Sequence, residues 1–311
     1  MLNDLEHFYK KVKNSSKASS ILIYDMRTNE YLGELDGIKF NTRSIAKTIM
    51  ALSYGILMEE SNNKCNLDSL IYPVLKDEFV LDNYNNLDFL KSIKVKHLLT
   101  HTTGYDVSLL MSKEIVNLDK NKLLDYCINY PLKHAPGTYF RYSNAGYYIL
   151  SAFMEKVIDG GLYNFIDEFL FEKLDIKSPR WDCYGPYLVG ASKLYLSDMD
   201  LLKLGKLLLD KGSYEGINVV GENYISLMKS PLIDNINNKD NKHRYFNDSV
   251  YGLGLWINKS GVVYASGTGG QLITLLEKED LIIVTTNRKD SGFSTRIKED
   301  QEKIIDFVKG V

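Results

Sequence analysis

A serine followed three residues later by a lysine occurs three times, at Ser44–Lys47, Ser61–Lys64 and Ser226–Lys229. On a helix, residues three apart lie on one face, so the lysine amine can reach the serine hydroxyl. Burial lowers the pKa of a lysine, and the neutral amine can then take the hydroxyl proton and activate the oxygen as a nucleophile. Such a pair therefore predicts acyl-transfer chemistry where it lies on a buried helix.

Only the first pair opens a long apolar segment. Residues 44–60 are apolar almost all round, which is typical of a buried helix, and Ser44 lies at the predicted N-terminus. The backbone dipole there favours developing negative charge. The second pair lies in a polar stretch with no wall to desolvate the lysine, and the third runs directly into Ser-Pro. We therefore predict Ser44 as the nucleophile and Lys47 as its partner.

A second candidate motif is Tyr142-Ser143-Asn144, in a loop that leads into an apolar helix. A phenol can pass protons between serine, lysine and leaving group, while an asparagine amide can hold both the lysine and a substrate carbonyl. The same spacing occurs at Tyr84–Asn86 and Tyr245–Asn247, so the loop-then-helix context again selects the motif.

A glycine-rich run at the edge of a predicted strand is the third candidate, and it comprises Gly267, Thr268, Gly269 and Gly270. Small residues there allow a substrate to lie against the strand backbone. We predict that the N–H near Gly270 joins that of Ser44 as an oxyanion hole, in which loss of one donor typically costs about 100- to 1,000-fold in rate. No Lys-Ser/Thr follows the run, so it is not a phosphate loop.

Composition excludes several classes of protein. The chain has 311 residues, 44% hydrophobic and 25% charged, and its net charge of −2 gives no reason to expect nucleic acid or membrane partners. The three cysteines lack a Cys-x-x-Cys pair, which favours isolated buried thiols. We see no signal-peptide or membrane-spanning segment, so we predict a cytoplasmic protein.

The sequence contains neither a complete metal-binding motif nor a nucleophile-elbow motif. His97 and His101 have the spacing of a metal pair, but the glutamate and third ligand of His-Glu-x-x-His are absent. No Gly-x-Ser-x-Gly elbow occurs, which disfavours an α/β-hydrolase. We predict neither a metal nor a cofactor. Trp181 and Trp256 could line a pocket, although core packing is the preferred interpretation.

Strand patterns at both ends of the chain and helix patterns between them predict one sheet built from the two termini. The fold class is α+β, with a sheet domain from residues 1–66 and 251–311 and a mostly helical domain from residues 67–250. The predicted strands are Ser20–Asp25, Tyr31–Leu35, Tyr251–Ile257, Val262–Ala265, Gln271–Glu277 and Leu281–Thr286. The predicted helices include Lys94–Thr100, Gly146–Val157, Met199–Leu209 and Arg296–Lys309, and Asp234–Asp240 is a candidate mobile loop.

The order of the motifs resembles the serine β-lactamase-related family over roughly residues 20–290. That family includes class C β-lactamases, D-alanyl-D-alanine carboxypeptidases, family VIII esterases and 6-aminohexanoate-oligomer hydrolases. The resemblance implies a β-lactamase/transpeptidase-like fold, with a mainly antiparallel sheet flanked by helices and an inserted all-helical domain. The matching segments are 44–47 (Ser-Ile-Ala-Lys), 98–104 (Leu-Leu-Thr-His-Thr-Thr-Gly), 136–146 (Pro-Gly through Tyr-Ser-Asn-Ala-Gly) and 265–271 (Ala-Ser-Gly-Thr-Gly-Gly-Gln).

The chain departs from the family pattern at one position of the third motif. The family usually has Lys or His where this chain has Gly267, so the cation that would grip a substrate carboxylate is missing. Arg288, after the last strand, is a candidate replacement. The departure favours the esterase and aminohexanoate-hydrolase branch. In the family pattern, His101 is a helix-terminus feature away from the chemistry.

The resemblance implies a serine hydrolase that forms an acyl-enzyme with a small ester, amide or peptide. Ser44 attacks, Lys47 and Tyr142 move protons, Asn144 positions, and either Lys47 or Tyr142 is the acylation base. One alternative is a D-alanyl-D-alanine carboxypeptidase or a β-lactamase-type penicillin-binding protein. The other is a non-catalytic descendant that binds a ligand in the same cleft. The oligomeric state is left open.

Overall fold

Eight strands form one antiparallel sheet in the computed structural model, which describes residues 2–62, 64–236, 243–289 and 291–311. The strands of the described residues are β1 (Ser20–Asp25), β2 (Glu30–Leu32), β3 (Phe40–Asn41), β4 (Arg180–Trp181), β5 (Cys183–Tyr184), β6 (Tyr187–Leu188), β7 (Leu194–Leu196), β8 (Ser213–Tyr214), β9 (Ile217–Asn218), β10 (Ile233–Asp234), β11 (Val250–Tyr251), β12 (Trp256–Ile257), β13 (Val263–Gly267), β14 (Gln271–Leu276) and β15 (Leu281–Thr286). The sheet order β10-β11-β12-β13-β14-β15-β1-β2 places the N-terminal hairpin beside the last strand of the chain.

Helices are the main regular elements of the chain between the two ends of the sheet. The described α-helices are α1 (Leu2–Ser15), α2 (Ala46–Glu60), α3 (Tyr72–Leu75), α4 (Leu87–Ser92), α5 (Val95–Leu99), α6 (Leu123–Asn129), α7 (Ala145–Val157), α8 (Leu162–Ile166), α9 (Asp198–Leu209), α10 (Glu222–Met228) and α11 (Ser294–Lys309). Among the described residues, no helix is both long enough and apolar enough to cross a lipid bilayer.

The central strands are buried on both faces, which explains their unbroken apolar sequences. Alternate residues of β1 point to opposite faces, with Leu22 in one apolar cluster and Ile21 in the other. Helices α1 and α11 cover the second face, while α9 packs on the first. Gly205 of α9 allows this close packing, because a Cβ there would lie 2.7 Å from the Ile282 side chain.

Helix α2 joins the sheet to the helical part of the chain. Its residues 46–57 are all buried, as its continuous apolar sequence predicts. Tyr224 donates a hydrogen bond to the Ala51 carbonyl at 2.9 Å, and Thr48 Oγ1 donates to the Gly254 carbonyl at 2.6 Å. The helix that follows Ser44 is therefore held from several sides.

The predicted fold class and the sheet built from both termini are confirmed. The single predicted strand Tyr251–Ile257 is wrong, since β11 and β12 are joined there by a turn in which the Gly252 amide donates to the Leu255 carbonyl. Residues 237–240 of the predicted mobile loop lie outside the described residues. Helix α9, within the predicted helical domain, packs on the sheet, and the division at residues 66 and 250 stays a prediction. Cys183 is exposed rather than buried.

Candidate active site

Ser44 lies in a 3-10 turn, Arg43–Ile45, immediately before α2 rather than in its first turn. Arg43 has φ of +55°, a conformation that is uncommon outside glycine and that accumulates at functional sites. The Arg43 amide donates to Asn41 Oδ1 at 2.9 Å, and Thr42 Oγ1 donates to the Leu194 carbonyl at 3.0 Å. These bonds fix the backbone that presents the Ser44 hydroxyl.

Lys47 is buried beneath Ser44, with 1% of its surface exposed. Its Nζ lies 3.2 Å from Ser44 Oγ, 2.8 Å from Asn144 Oδ1 and 3.2 Å from the Ala191 carbonyl. A neutral amine has two N–H donors and one lone pair. The two carbonyl oxygens can accept both donors, which leaves the lone pair for the Ser44 hydroxyl.

Burial lowers the pKa of Lys47 from 10.5 to about 7. The Tyr142 and Tyr147 rings, with centroids 4.8 and 5.7 Å from Nζ, would favour the ammonium form. Desolvation opposes them and is the larger effect, because no carboxylate contacts the amine among the described residues. The amine is therefore about half neutral at pH 7.

Asn144 is held in one orientation. Its Nδ2 donates to the Leu110 carbonyl at 2.8 Å, so the hydrogen-bond network assigns Oδ1 to the side that faces Lys47. Its backbone amide donates to the Leu109 carbonyl at 3.1 Å. The amide side chain thus acts as a fixed acceptor for the lysine.

The Tyr142 side chain lines the cavity together with Ser44, and its ring centroid lies 4.8 Å from Lys47 Nζ. Burial raises the pKa of Tyr142 well above its ordinary value of 10. The phenol is therefore protonated at neutral pH. Its ring stacks on Trp256 with centroids 5.6 Å apart and planes at 23°.

The glycine-rich run forms the turn between β13 and β14, and only part of it reaches the site. Gly267 and Thr268 line the cavity above Ser44, whereas Gly269 and Gly270 do not. The Gly270 amide donates to the Gly267 carbonyl at 3.3 Å, and the side chain of Ile297 lies next to its Cα. The structure thus does not bring Gly270 to the cavity lining, and its role as an oxyanion donor stays a prediction.

The edge of β13 next to Ser44 has no partner strand among the described residues. The pairing of β12 with β13 ends at Trp256 opposite Tyr264, so the Ala265–Gly267 segment continues beyond β12. A Cβ at Gly267 would lie 2.4 Å from the Thr42 carbonyl oxygen, so the turn that carries Ser44 packs directly on this segment. That contact explains the glycine at a position where the family usually has a cation.

Arg288 does not replace that cation. Its guanidinium pairs with Asp36, its amide donates to Ser19 Oγ at 3.0 Å, and it is absent from the cavity lining. Arg43, adjacent to the nucleophile in sequence, lines the cavity instead. The sequence signal that could have identified Arg43 is its position next to Ser44.

The cavity above Ser44 has a volume of about 850 Å³ and is lined by aliphatic, aromatic and basic side chains. Its basic side chains outnumber its single described acid, Asp248, which is bound by the Tyr264 hydroxyl at 2.7 Å. An anionic group on a substrate is therefore favoured near these walls. The lining includes Leu110, Met111, Ile115, Val116 and Val189 (aliphatic), Phe140, Tyr148, Tyr184 and Trp256 (aromatic), and Arg43, Arg141, Lys193 and Lys298 (basic).

The other matches to the sequence motifs lie away from this cavity. Lys229 pairs with Glu277 at 2.6 Å, and the Ser61 hydroxyl accepts from the Cys65 amide at 3.1 Å. Tyr84 is exposed on the surface, and Tyr245 donates to Asp306. Of the three matches to each motif, the structure brings together only Ser44–Lys47 and Tyr142–Asn144. These are the two matches that the sequence context had selected.

Ser44, Lys47 and Tyr142 form a cluster between an antiparallel sheet and a helical region. The family match agrees with this combination of fold and site. The family model described as Beta-lactamase matches residues 39–305, so the chain belongs to the β-lactamase family. No curated protein sequence matches the chain significantly.

Solved structures with this fold cover nearly the whole chain. A penicillin binding protein from Bacillus halodurans is 18% identical, with a TM-score of 0.70 over 96% of this chain and 99% of that one. An octameric penicillin-binding protein homologue from Pyrococcus abyssi is 18% identical, with a TM-score of 0.68 over 98% and 77%. EstCE1, a hydrolase with promiscuous acyltransferase activity, is 14% identical, with a TM-score of 0.70 over 96% and 97%. At these identities the similarity establishes the fold.

Proposed function

We propose that the protein is a serine hydrolase that forms an acyl-enzyme on Ser44 with a small ester or amide. The observation that carries the proposal is the Lys47 amine, which is buried, lies 3.2 Å from the Ser44 hydroxyl and has its pKa lowered to about 7. Its other two contacts are hydrogen-bond acceptors, so the neutral amine directs its lone pair at the hydroxyl.

Acylation then follows from the positions of the three groups. Lys47 Nζ takes the Ser44 proton as Oγ attacks the substrate carbonyl carbon and forms a tetrahedral intermediate. Tyr142 donates its hydroxyl proton to the leaving oxygen or nitrogen as the carbonyl–leaving group bond breaks, and the Lys47 ammonium returns a proton to the phenolate. Hydrolysis of the acyl-enzyme uses the same groups, with water as the nucleophile.

This scheme assigns the acylation base, which sequence reasoning left open between two residues. Burial raises the pKa of Tyr142 and lowers that of Lys47, so at neutral pH the phenol is a donor and the amine a base. Two groups whose surroundings move their pKa values apart are suited to acid and base roles. We assign Lys47 as base and Tyr142 as acid.

The open edge of β13 supports a revised oxyanion hole. The segment Ser266–Thr268 lines the cavity beside the Ser44 turn, and that edge of Ala265–Gly267 has no described partner strand. We propose that an amide of this strand end joins the Ser44 amide in binding the oxyanion, in place of Gly270. A substrate can add its own backbone or acyl chain along the same edge.

The walls of the cavity support an acyl substrate that carries both apolar and anionic groups. Aliphatic residues Leu110 and Ile115 border it, and Arg43 and Lys193 add positive charge. The positive charge favours retaining the D-alanyl-D-alanine carboxypeptidase or β-lactamase alternative as a second candidate, because those substrates carry a carboxylate. The non-catalytic alternative loses its motivation, since packing accounts for Gly267.

Turnover of a substrate panel tests the proposal. The panel contains p-nitrophenyl esters of increasing acyl length, nitrocefin and a D-alanyl-D-alanine peptide. We expect ester hydrolysis by the wild type that Ser44→Ala abolishes. Ser226→Ala is the matched control, because it removes the exposed serine of another Ser-x-x-Lys pair, and it should keep full activity. Equal turnover by Ser44→Ala would overturn the proposal, and preference for nitrocefin or the peptide would favour the second candidate.

A further inference from the structure

His101 lies inside the aromatic cluster that surrounds Tyr142, not away from the chemistry. It follows α5, has φ of +57° and is 2% exposed. Its ring centroid is 4.4 Å from that of Tyr142, 4.9 Å from that of Tyr251 and 5.2 Å from that of Tyr147. The imidazole therefore packs against the Tyr142 ring, which lines the cavity beside Ser44.

The residue also holds the backbone on both sides of Tyr142. The Arg141 amide donates to the His101 carbonyl at 2.9 Å, and the Ser143 amide lies 3.4 Å from His101 Nδ1. Because an amide N–H can only donate, Nδ1 must be the acceptor, which assigns the ring proton to Nε2. Two backbone contacts from one residue thus bracket the tyrosine.

His101 Nε2 is a buried polar atom without a hydrogen-bond partner in the described part of the chain. Its surroundings are the rings of Tyr142, Tyr147, Tyr251 and Phe140. An N–H can contact the electron-rich face of an aromatic ring, which partly compensates for the missing acceptor. A buried N–H without an acceptor costs free energy, so the Nε2–H of His101 indicates a functional role for this residue.

Proton transfer is not that role. Burial, reinforced by the nearby Lys47 amine, holds the pKa of His101 well below its usual range. The imidazole is therefore neutral wherever Lys47 can act as a base. His101 affects the reaction through the position of its neighbour.

We propose that His101 is the positioning residue for Tyr142: it brackets the tyrosine through Arg141 and Ser143 and supports its ring, so that the phenol stays in the cavity beside Ser44. The catalytic consequence rests on the proposed function, whereas the positioning itself does not. Misplacement of a reacting group by about 1 Å can cost about 100-fold in rate.

Two substitutions distinguish the effect of the hydrogen-bond acceptor at Nδ1 from the effect of side-chain size. His101→Asn can place Oδ1 where Nδ1 lies, and asparagine tolerates positive φ. His101→Gln has similar length but no acceptor at that point. We expect His101→Gln to lower kcat by about 10- to 100-fold with little change in KM. We expect His101→Asn to stay within about tenfold of wild type. His97→Asn, in which the other histidine of the pair is changed, is the matched control and should match wild type.

The pH profile distinguishes positioning from proton transfer. In both His101 variants, kcat should still fall at acidic pH as Lys47 becomes protonated. In His101→Gln the plateau of kcat at higher pH should be lower. Loss of this pH dependence in both variants would show that His101 carries the proton and would overturn the proposal. Equal kcat in His101→Gln and wild type would overturn it as well.

A spectroscopic readout tests the positioning without any turnover. In a Trp181→Phe background, Trp256 is the remaining tryptophan of the sequence, and it stacks on Tyr142. We expect the near-UV circular dichroism of Trp256 to change in His101→Gln and to be preserved in His101→Asn. An unchanged signal in His101→Gln would overturn the proposal. Absence of wild-type turnover would refute the hydrolase function alone, because this signal would still report where Tyr142 lies.

Discussion

Lowering the pH from 8 to 5 is expected to slow acylation of Ser44 by the protonation of one amine. Moving the pKa of Lys47 from 10.5 to about 7 corresponds to about 5 kcal/mol in favour of the neutral form, at about 1.4 kcal/mol per pH unit. The neutral fraction is then about one half at pH 7, about one tenth at pH 6 and about one hundredth at pH 5. The rate constant should follow these fractions.

The assay is the second-order rate constant for inactivation by a fluorophosphonate, measured from pH 5 to 9. This constant isolates acylation, because the phosphonylated enzyme does not turn over. We expect a tenfold decrease for each pH unit below about 7 and a plateau above about 8. A rate constant that is independent of pH between 5 and 7 would refute the assignment of Lys47 as the base, and a midpoint near 10 would refute the lowering of its pKa by burial.

The same titration predicts how stability depends on pH, whatever the protein catalyses. The folded-state pKa of Lys47, about 7, lies below the unfolded value of 10.5, so the folded protein binds fewer protons between these values. The contribution of Lys47 to the free energy of unfolding therefore rises with pH through that window and is at its minimum below pH 7. Lys47→Met removes this dependence. The difference in unfolding free energy between wild type and variant should change by up to about 1.4 kcal/mol per pH unit, and a constant difference would contradict the burial argument.

Three further substitutions test the walls of the site. Tyr142→Phe should lower kcat by about 100- to 10,000-fold on alkyl esters and much less on p-nitrophenyl esters, whose leaving group needs no proton; an equal loss on both would refute the acid role. Gly267→His restores the usual family residue and should destabilise the protein by about 1–3 kcal/mol in urea unfolding, because its Cβ meets the Thr42 carbonyl; unchanged stability would contradict the packing. Arg43→Asn keeps a residue that tolerates positive φ and should raise KM about twofold to fivefold for carboxylate-bearing esters only; an equal rise for neutral esters would exclude a charge effect.

The parts of the site that sequence reasoning predicted are those set by local geometry. Ser44 and Lys47 are one helical turn apart, and the apolar segment after them predicts the burial that lowers the lysine pKa. The strands near both termini have continuous apolar runs, which is typical of strands covered on both faces. The association of the two chain ends in one sheet follows from the same patterns.

The placements that the sequence did not predict depend on contacts between distant segments. Gly270 was assigned to the site by motif, but whether an amide faces the cavity depends on the strand register, and Gly267 pairs with Gln271 to make the run a turn. Arg288 was a candidate by charge alone, and its partner Asp36 is distant in sequence. His101 is near Tyr142 because the loop after α5 packs against the segment before α7, which is distant in sequence and which no local pattern encodes.

A covalent adduct on Ser44 would be the most direct evidence for the proposed acyl-enzyme. Wild type, Ser44→Ala and Ser226→Ala are each treated with a fluorophosphonate, their intact masses are recorded, and the modified peptide is sequenced. We expect one adduct per chain, on Ser44, in wild type and in Ser226→Ala, and none in Ser44→Ala. An unmodified wild type, or an equal adduct on Ser44→Ala, would contradict the proposal.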